Sequence, residues 1–503
     1  MDLTRRDLFK GAGALGVGLA LPAAAAACAA PPLPKGLAGP FRHGVASGDP
    51  DTGSVVLWTR VDGLVGDGST AVSWEMSTTP DMATVVRTGT TATGADRDGT
   101  VRVVATGLQP GTSYFYRFST TEGTSPVGRA RTAPEGPASN LRLGVASCSN
   151  YAFGNFYLYR YLAERSDLDA VIHLGDYIYE YATAGAGETY GEFRQLDPPN
   201  ECRSLSDYRR RYGHYRLDPD LQELHRQHTM IHIWDDHEFA DDPFVGGASN
   251  HQPEDGPWEG RKAAALQAYT EWMPSRIDGD KIYRTVDFGD LARLVLVDRQ
   301  RKFLFPGPDD GDGYLDEPQF EWLEDQLRTA DTSWSLLGQA SVFGSRTRDM
   351  VRGGWGAESR ERVHTAVDAS PSRSDLVVLG GDIHRAVAAD LPRVPGVYDK
   401  STGAGSAGVE LETGSITSSG GDESIESDQE HWNLGSYRTY LVLDITHERV
   451  QADFWGFPDT AKLLQWRGPH EWLTGWTTQK GANHLVSVPR AVTQGSRPLP
   501  AAP

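Results

Sequence analysis

The clearest pattern along the chain is a set of five short apolar runs, each followed at once by polar residues. Apolar runs of this length that are bounded by turn residues predict buried strands. In open α/β sheets, ligands bind just beyond the carboxyl ends of the strands. The polar residues that follow the runs are Cys148, Asp176 and Tyr179, Asp235 to Glu238, Asp298, and Asp382 and His384. Thiolate, oxygen and nitrogen donors gathered at one edge of a sheet indicate a metal centre.

Residues 41–133 contain only strand-like segments, which are separated by turns rich in Gly, Pro, Asp and Thr. No helical periodicity interrupts them, and this pattern is typical of a small all-β sandwich. The predicted strands are Gly53–Trp58, Ala71–Ser77, Thr100–Ala105 and Ser113–Ser119. A stretch rich in Pro, Gly and Ser between Thr132 and Asn140 predicts the end of this N-terminal domain.

From Leu141 onward, strands alternate with segments of helix-like apolar spacing, which predicts a layered α/β domain over residues 141–460. The predicted helices are Phe156–Arg165, Gln222–Gln227, Gly260–Trp272 and Glu317–Thr329, the last with an N-cap at Asp316. Strand character returns at Tyr440–Ile445 and Val450–Trp455. We interpret the irregular segment from Thr402 to Asn433 as a lid, and residues 461–503 as a C-terminal extension.

Length and charge narrow the possible classes of function. A chain of 503 residues is longer than one compact core usually holds, which agrees with two domains. Its formal net charge is −20, so the chain offers no platform for nucleic acid and is not attracted to anionic membranes. A polyanionic substrate would therefore need a local centre of positive charge, which metal ions could supply.

Residues 1–30 have the pattern of a targeting segment. Arg5 and Arg6 precede a weakly apolar stretch rich in Gly, Ala and Leu. This pattern predicts a twin-arginine signal peptide that the export machinery recognises and that is removed on maturation. The apolar stretch is too short and too rich in glycine for a stable membrane span. We therefore expect a periplasmic or extracellular protein, and lipid anchoring at Cys28 is an alternative fate for the new N-terminus.

The remaining two cysteines leave two interpretations open. Cys148 follows a predicted strand, where it would add a thiolate to the metal centre. In an exported, oxidising setting, a disulfide between Cys148 and Cys202 is the alternative.

Two of the polar clusters carry specific metal chemistry. Asp382 and His384 stand at positions i and i+2, so on an extended backbone they share a face and can grip one metal. Asp176 comes three residues before Tyr179, where its carboxylate could bridge two metals and the phenolate could bind one. A phenolate forms near neutral pH only beside a strong Lewis acid, which favours Fe³⁺. The alternatives are a capped loop at residues 382–384 and an aromatic loop at residues 177–181.

The cluster from Asp235 to Glu238 offers a carboxylate for a second metal next to an imidazole that can reach a scissile group. Its alternative is a solvated acidic turn. We expect Glu238 to orient His237 and not to bind metal.

The order and spelling of these motifs resemble the PhoD-type alkaline phosphatase/phosphodiesterase family, within the metallophosphoesterases. The resemblance covers nearly the whole chain after the signal peptide. The matching segments are FRHGVASGDPDTGSVVLWTRV, LRLGVASCSN, HLGDYIYEY, LSDYRRRYGHYRLDPDLQELHRQHTMIHIWDDHE, VVLGGDIHRAVAADL and GVELETGSITSSG. The resemblance implies an α/β fold, a four-layer metallophosphoesterase-like β-sandwich flanked by helices, with an N-terminal all-β sandwich domain.

The resemblance also implies residue roles. The residues that would hold Fe³⁺ are Cys148, Asp176, Tyr179, Asp382 and His384. Asp176 would also reach a second site that the family fills with Ca²⁺. Asp236 is assigned to that second site, with Asp235 as the competing choice, and His237 would act at the phosphoryl oxygens. Relatives usually read Asp-Thr-Arg-Gln where this chain has Val297 to Gln300, which leaves the placement of Arg299 open.

The predicted function is an exported, metal-dependent hydrolase of small phosphoesters or phosphodiesters, acting by attack of a metal-activated hydroxide. A phospholipase D-like phosphodiesterase would use the same site. The 13 Trp and 19 Tyr also allow a carbohydrate- or cell-wall-binding protein. Iron redox chemistry is disfavoured, because non-haem oxygenases use two histidines and one carboxylate.

Overall fold

The computed structural model describes residues 37–64, 68–183, 194–306, 314–344, 355–394, 396–418, 420, 427–459, 469–492 and 499–503. The predicted signal peptide and Cys28 lie outside these residues. All of the described residues belong to one compact unit. Among them, no helix is long and apolar enough to cross a membrane.

The strands before residue 140 are β1 (Val45–Gly48), β2 (Ser54–Arg60), β3 (Thr70–Ser77), β4 (Val85–Thr93), β5 (Thr100–Thr106), β6 (Ser113–Thr120), β7 (Gly123–Thr124) and β8 (Gly128–Arg131). The four strands predicted in this region correspond to β2, β3, β5 and β6, with ends that differ by at most two residues.

The later strands are β9 (Leu141–Ala146), β10 (Ala170–Leu174), β11 (Thr229–Ile233), β12 (Arg284–Phe288), β13 (Ala292–Leu296), β14 (Trp334–Gly338), β15 (Asp375–Gly380), β16 (Ala386–Pro392), β17 (Ser406–Thr413), β18 (Glu430–Leu434), β19 (Tyr437–Ile445), β20 (Arg449–Pro458), β21 (Glu471–Gln479) and β22 (Val486–Ser487). The α-helices are α1 (Tyr157–Ala163), α2 (Leu205–Arg216), α3 (Pro219–Gln227), α4 (Trp258–Trp272), α5 (Arg301–Leu304), α6 (Glu317–Arg328) and α7 (Ala357–Asp368). Short 3₁₀ turns cover Ala95–Arg97, Tyr151–Phe153 and Pro253–Asp255.

Two large sheets form the centre of the molecule. One has ten strands in the order β22-β21-β20-β19-β9-β10-β11-β1-β2-β5, and the other has seven in the order β12-β13-β14-β15-β17-β16-β18. Strands β9, β10, β11 and β1 run parallel, as do β13, β14, β15 and β17. Alternate residues such as Leu143 and Val145 on one sheet and Leu294 and Leu336 on the other fill one shared core.

Helices cover the outer face of each sheet. Helices α1 to α4 pack on the ten-stranded sheet through a core that includes Leu158, Tyr212 and Val171. Helices α6 and α7 pack on the seven-stranded sheet through Phe320 and Val363. The order of layers is therefore helix, sheet, sheet, helix, and the predicted four-layer α/β fold is confirmed.

The N-terminal β domain shares a sheet with the rest of the molecule. Strands β1, β2 and β5 form one edge of the ten-stranded sheet, and they pack on a separate sheet of β3, β4, β6, β7 and β8. Leu57, Val72 and Tyr116 are among the residues between the two sheets. The domain boundaries remain predictions. The boundary expected near residue 134 is bridged by hydrogen bonds, because β1, which precedes it, pairs with β11, which follows it.

The interpretation of the segment from Thr402 to Asn433 as a lid is wrong for much of its length. Strand β17 lies inside it and pairs with β15, and β18 covers its last described residues. At the other end of the chain, β21 and β22 extend the ten-stranded sheet, so the predicted C-terminal extension supplies two of its strands.

Candidate metal centre

Polar side chains follow four parallel strands at the point where each strand ends. Cys148 follows β9, Asp176 follows β10, Asp236 follows β11, and His384 follows β15 of the opposite sheet. Because the carboxyl ends of these strands meet at one edge of the two packed sheets, residues far apart in sequence come together there.

The first cluster contains Cys148, Asp176 and His384, whose ligand atoms all lie within 4.8 Å of one another. Tyr179 completes it, because its hydroxyl lies 2.9 Å from Asp176 Oδ2 and 3.1 Å from His384 Nε2. The cluster thus unites a thiol, a carboxylate, an imidazole and a phenol from three different strand ends.

The second cluster contains Asp176, Asp236 and His237, again with ligand atoms within 4.8 Å of one another. Asp176 is therefore common to both clusters, which is the position required of a carboxylate that bridges two ions. Between the two neighbouring aspartates, the structure brings Asp236 into the cluster. Asp235 instead accepts a hydrogen bond from Gln300 Nε2 at 2.6 Å.

Two other aspartates from the predicted set, Asp382 and Asp298, lie outside the two three-residue clusters. Asp382 is buried beside the first cluster, and its charge raises the pKa of Cys148, though less than burial and Asp176 do. It is not a member of either three-atom cluster. Asp298 does not join the centre, because its Oδ1 accepts hydrogen bonds from Trp234 Nε1 at 2.7 Å and from Arg301 N at 3.0 Å.

The backbone is strained at four of these positions. Cys148, Asp176, Asp382 and His384 have φ angles of 58°, 55°, 60° and 55°, in the left-handed region that non-glycine residues seldom adopt. Such conformations persist where surrounding structure enforces them, and they gather at functional sites. Gly175 also has positive φ, and a Cβ there would lie 2.6 Å from Asp235 Cβ, so this turn admits only glycine.

The electrostatics of the centre indicate that it is built for cations. Burial, together with neighbouring carboxylates, raises the pKa of Asp176 and Asp235 well above the usual range. Burial likewise raises the pKa of the Cys148 thiol and of the Tyr179 phenol. Asp176 Oδ1 and Asp235 Oδ2 are buried without a hydrogen-bond partner. Bound cations would satisfy these oxygens and neutralise the concentrated negative charge, so the residues fit metal ions.

His237 is fixed by Glu180, and not by Glu238 as the sequence suggested. His237 Nδ1 lies 2.9 Å from Glu180 Oε2. Burial alone would lower the pKa of His237, but Asp236, Glu180 and Asp176 raise it well above its usual value. The carboxylate of Glu238 instead accepts hydrogen bonds from three backbone amides, which belong to Asp176 (3.1 Å), Tyr177 (2.6 Å) and Asp235 (2.8 Å). Glu238 therefore holds the two metal-binding turns together.

Sequence reasoning missed Glu180, Gln300 and Ser418 as parts of this centre. Ser418 Oγ donates to the Tyr179 hydroxyl oxygen at 2.7 Å, which leaves that oxygen able to act as a ligand. Glu180 and Ser418 lie inside two of the motifs quoted above, but no pattern of spacing marks their contacts. Arg299 is partly buried near Asp235, and its guanidinium lies 5.7 Å from the centroid of the Tyr314 ring.

The disulfide alternative is excluded by the structure. Cys148 and Cys202 are both buried, and both are free thiols. Cys148 thus remains available to the metal centre.

Comparison with known families agrees with this geometry. Residues 143–454 match the model of the PhoD-like phosphatase family, and residues 27–134 match the model of the PhoD-like phosphatase N-terminal domain. The two matches together span most of the chain.

Individual relatives give the same result. The chain is 32% identical over 500 residues to alkaline phosphatase D of Bacillus subtilis (strain 168), covering 90% of this chain and 84% of that protein. A solved structure described as "Structure of PhoD" superposes with a TM-score of 0.78 at 29% identity, covering 91% of this chain and 93% of the other.

Proposed function

The chain belongs to the PhoD-like phosphatase family and is a phosphoric ester hydrolase, and we propose that two metal ions held by its strand-end clusters drive the reaction. The observation that carries this proposal is the position of Asp176, which is common to both clusters. Because the chain belongs to a phosphatase family, its aromatic residues need not be explained by a carbohydrate-binding function.

We assign Fe³⁺ to Cys148, Asp176, Tyr179, Asp382 and His384, and a divalent ion such as Ca²⁺ to Asp176 and Asp236. The phenol supports a trivalent ion at the first position, because a phenol, with a free pKa of about 10, ionises near neutral pH only beside a strong Lewis acid. The thiol adds a ligand that deprotonates readily on any bound metal. When bound, the pair of ions would supply a nucleophile at neutral pH and positive charge for the phosphoryl oxygens.

The protein residues position the substrate and the ligands. Glu180 accepts from His237 Nδ1, so the ring is held in one orientation and its other nitrogen is left for a phosphoryl or leaving-group oxygen. Ser418 and Glu238 hold Tyr179 and the turns at Asp176 and Asp235. Such fixed donors reduce the reorganisation that a crowded anionic transition state would otherwise require.

The test is Asp176→Asn, assayed on nitrophenyl phosphate and on bis-nitrophenyl phosphate with metal content measured in the same sample. We expect turnover of both esters to fall by more than about 100-fold with loss of bound metal, since even outer partners of metal ligands cost about 10–100-fold. Asp242→Asn is the matched control, because that side chain is exposed and lies six residues beyond Asp236. Wild-type turnover and metal content in Asp176→Asn would refute the proposal. The ratio of the two wild-type activities decides between monoester and diester preference.

The iron assignment has its own test. A phenolate bound to Fe³⁺ absorbs visible light by charge transfer, so purified wild-type protein should be coloured. Tyr179→Phe should lose the band, whereas Tyr181→Phe should keep it, because the Tyr181 hydroxyl donates to Asp241 and phenylalanine preserves the ring that packs beside Tyr179. A colourless wild type that is fully active would rule out Fe³⁺ at this position.

Export by the twin-arginine route is also a proposal, supported by the pattern at Arg5 and Arg6. Replacing both arginines by lysine should leave the precursor inside the cell, as measured by fractionation and immunoblotting. Unchanged export of that variant would contradict it.

A further inference from the structure

A second group of metal-ligand side chains lies away from the candidate metal centre. It consists of Asp390, His431 and His484, whose ligand atoms all lie within 4.8 Å of one another. Asp390 stands in β16, six residues after His384. Since a strand advances about 3.3 Å per residue, the two sites are separated by roughly 20 Å along the chain.

The geometry is close to that of a metal site. Asp390 Oδ2 lies 2.7 Å from His484 Nδ1 and 3.1 Å from His431 Nε2. Ligand atoms of a tetrahedral zinc ion would lie about 3.3–3.5 Å apart, because zinc–ligand distances are about 2.0–2.2 Å. His431 Nε2 is buried and makes no hydrogen bond of acceptable geometry, although it faces the carboxylate. Small outward movements of the two rings would admit an ion.

Neighbouring groups hold the carboxylate in place. Leu485 N donates to Asp390 Oδ1 at 2.9 Å, and the Tyr398 hydroxyl donates to Oδ2 at 2.8 Å. Carboxylates that ligate metals are usually fixed by such outer hydrogen bonds. Asp390 is fully buried, while the side chains of His431 and His484 are 8% and 14% exposed, so an ion has a path from solvent.

The three residues come from both large sheets. Asp390 and His431 lie on β16 and β18 of the seven-stranded sheet, whereas His484 lies between β21 and β22 of the ten-stranded sheet. The ring of His431 also contacts the ring of Trp476 on β21, with centroids 5.5 Å apart. An ion bound here would join the two sheets at an edge that the candidate metal centre does not occupy.

We propose that Asp390, His431 and His484 form a Zn²⁺ site that clamps the seven-stranded sheet to the C-terminal strands of the ten-stranded sheet. Two imidazoles and one carboxylate suit zinc, with water in the fourth position, while calcium and magnesium prefer sites made of oxygen alone. The ion binds the folded chain and stabilises it by mass action. This site is independent of the proposed phosphoester hydrolysis.

The experiment compares zinc uptake by the holoprotein and by matched histidine variants. Each protein is incubated with zinc chloride, passed through a desalting column and analysed for zinc, iron and calcium. We expect wild type to retain about one zinc more per chain than His431→Gln and His484→Gln, with iron and calcium unchanged. His447→Gln is the control, because its side chain is 41% exposed, lies 3.6 Å from Asp290 and belongs to none of the three-ligand groups among the described residues. Two single variants are used so that the test does not depend on the folding of one.

Thermal unfolding provides the second readout. Added zinc should raise the Tm of wild type and of His447→Gln by a few degrees and leave the Tm of the two cluster variants unchanged. Asp382→Ala should keep the full zinc response, because it alters only the candidate metal centre. If zinc uptake is equal in wild type and in both cluster variants, or if Asp382→Ala abolishes it, the proposal is wrong. In that case the three residues form a hydrogen-bonded network only.

Discussion

At the scale of single residues, two buried glutamates in the centre have different structural roles. Glu238 accepts hydrogen bonds from backbone amides, whereas Glu180 accepts one from the side chain of His237. Glu180 Oε1 also accepts from Asp241 N at 2.8 Å and from Asn250 Nδ2 at 2.6 Å. Its two oxygens are therefore both used, and a neutral amide cannot replace them.

Glu180→Gln should lower kcat by about 10–100-fold with little change in KM. The glutamine NH₂ group would face one of the N–H donors that the carboxylate now accepts, so the ring of His237 would lose its fixed orientation. Steady-state kinetics with metal analysis of the same sample would measure this. Asn250→Ala is the matched control, since it removes only one partner of Oε1 and should leave kcat within about threefold. Equal kcat for Glu180→Gln and wild type would show that His237 needs no fixed partner.

Much of the centre could be predicted from the sequence, because polar residues directly after apolar runs must lie at a sheet edge. The sequence leaves Asp235 and Asp236 as competing ligands of the second metal, since spacing does not tell which way the turn after β11 points each carboxylate. Asp298 shows the same limit. It also follows a strand, but its partner is Trp234, a contact that no spacing predicts.

At the scale of elements, helix α6 begins where its sequence indicates. Asp316 accepts from Gln319 N at 3.1 Å, so the predicted N-cap is present, and the helix ends at Arg328, one residue before the predicted end. Helix α2 was not predicted, although Tyr208, Tyr212 and Tyr215 form its buried face at helical spacing. The helix was missed because tyrosines interspersed with arginines look like a polar segment in the sequence. In the fold, the tyrosine rings pack as apolar surface.

Asp316→Ala should destabilise the protein by about 1 kcal/mol, since the amide of Gln319 loses its acceptor. Denaturant unfolding followed by circular dichroism would measure the change in the free energy of unfolding. Asp316→Asn should retain most of the stability, because asparagine caps helices nearly as well. Asp325→Ala on the same helix should change it by less than about 0.5 kcal/mol, as Asp325 pairs only at the surface. A fully stable Asp316→Ala would show that the cap contributes nothing.

At the scale of the whole molecule, the β sandwich at the N-terminus is a structural part of the hydrolase fold. Strand β1 pairs in parallel with β11, the strand that leads to Asp236. Trp58 on β2 is fully buried, donates to Glu271 O at 2.8 Å, and its ring lies 4.3 Å from the Arg216 guanidinium. The packing that surrounds the ends of α2 and α4 therefore comes partly from the first hundred residues.

Deleting residues 37–134 should therefore yield an insoluble or aggregated fragment. The deletion exposes β11 as an unpaired edge and removes Trp58 from its site, where truncation of a buried tryptophan alone costs roughly 3–5 kcal/mol. That loss is comparable with the whole stability of many domains, about 5–15 kcal/mol. Gel filtration and thermal unfolding of the fragment, beside the intact chain, would measure the effect. Co-expression of residues 37–134 as a separate chain is the control and should restore soluble protein. A monomeric fragment that unfolds at the Tm of the intact chain would instead show that the catalytic layers fold without the shared strands.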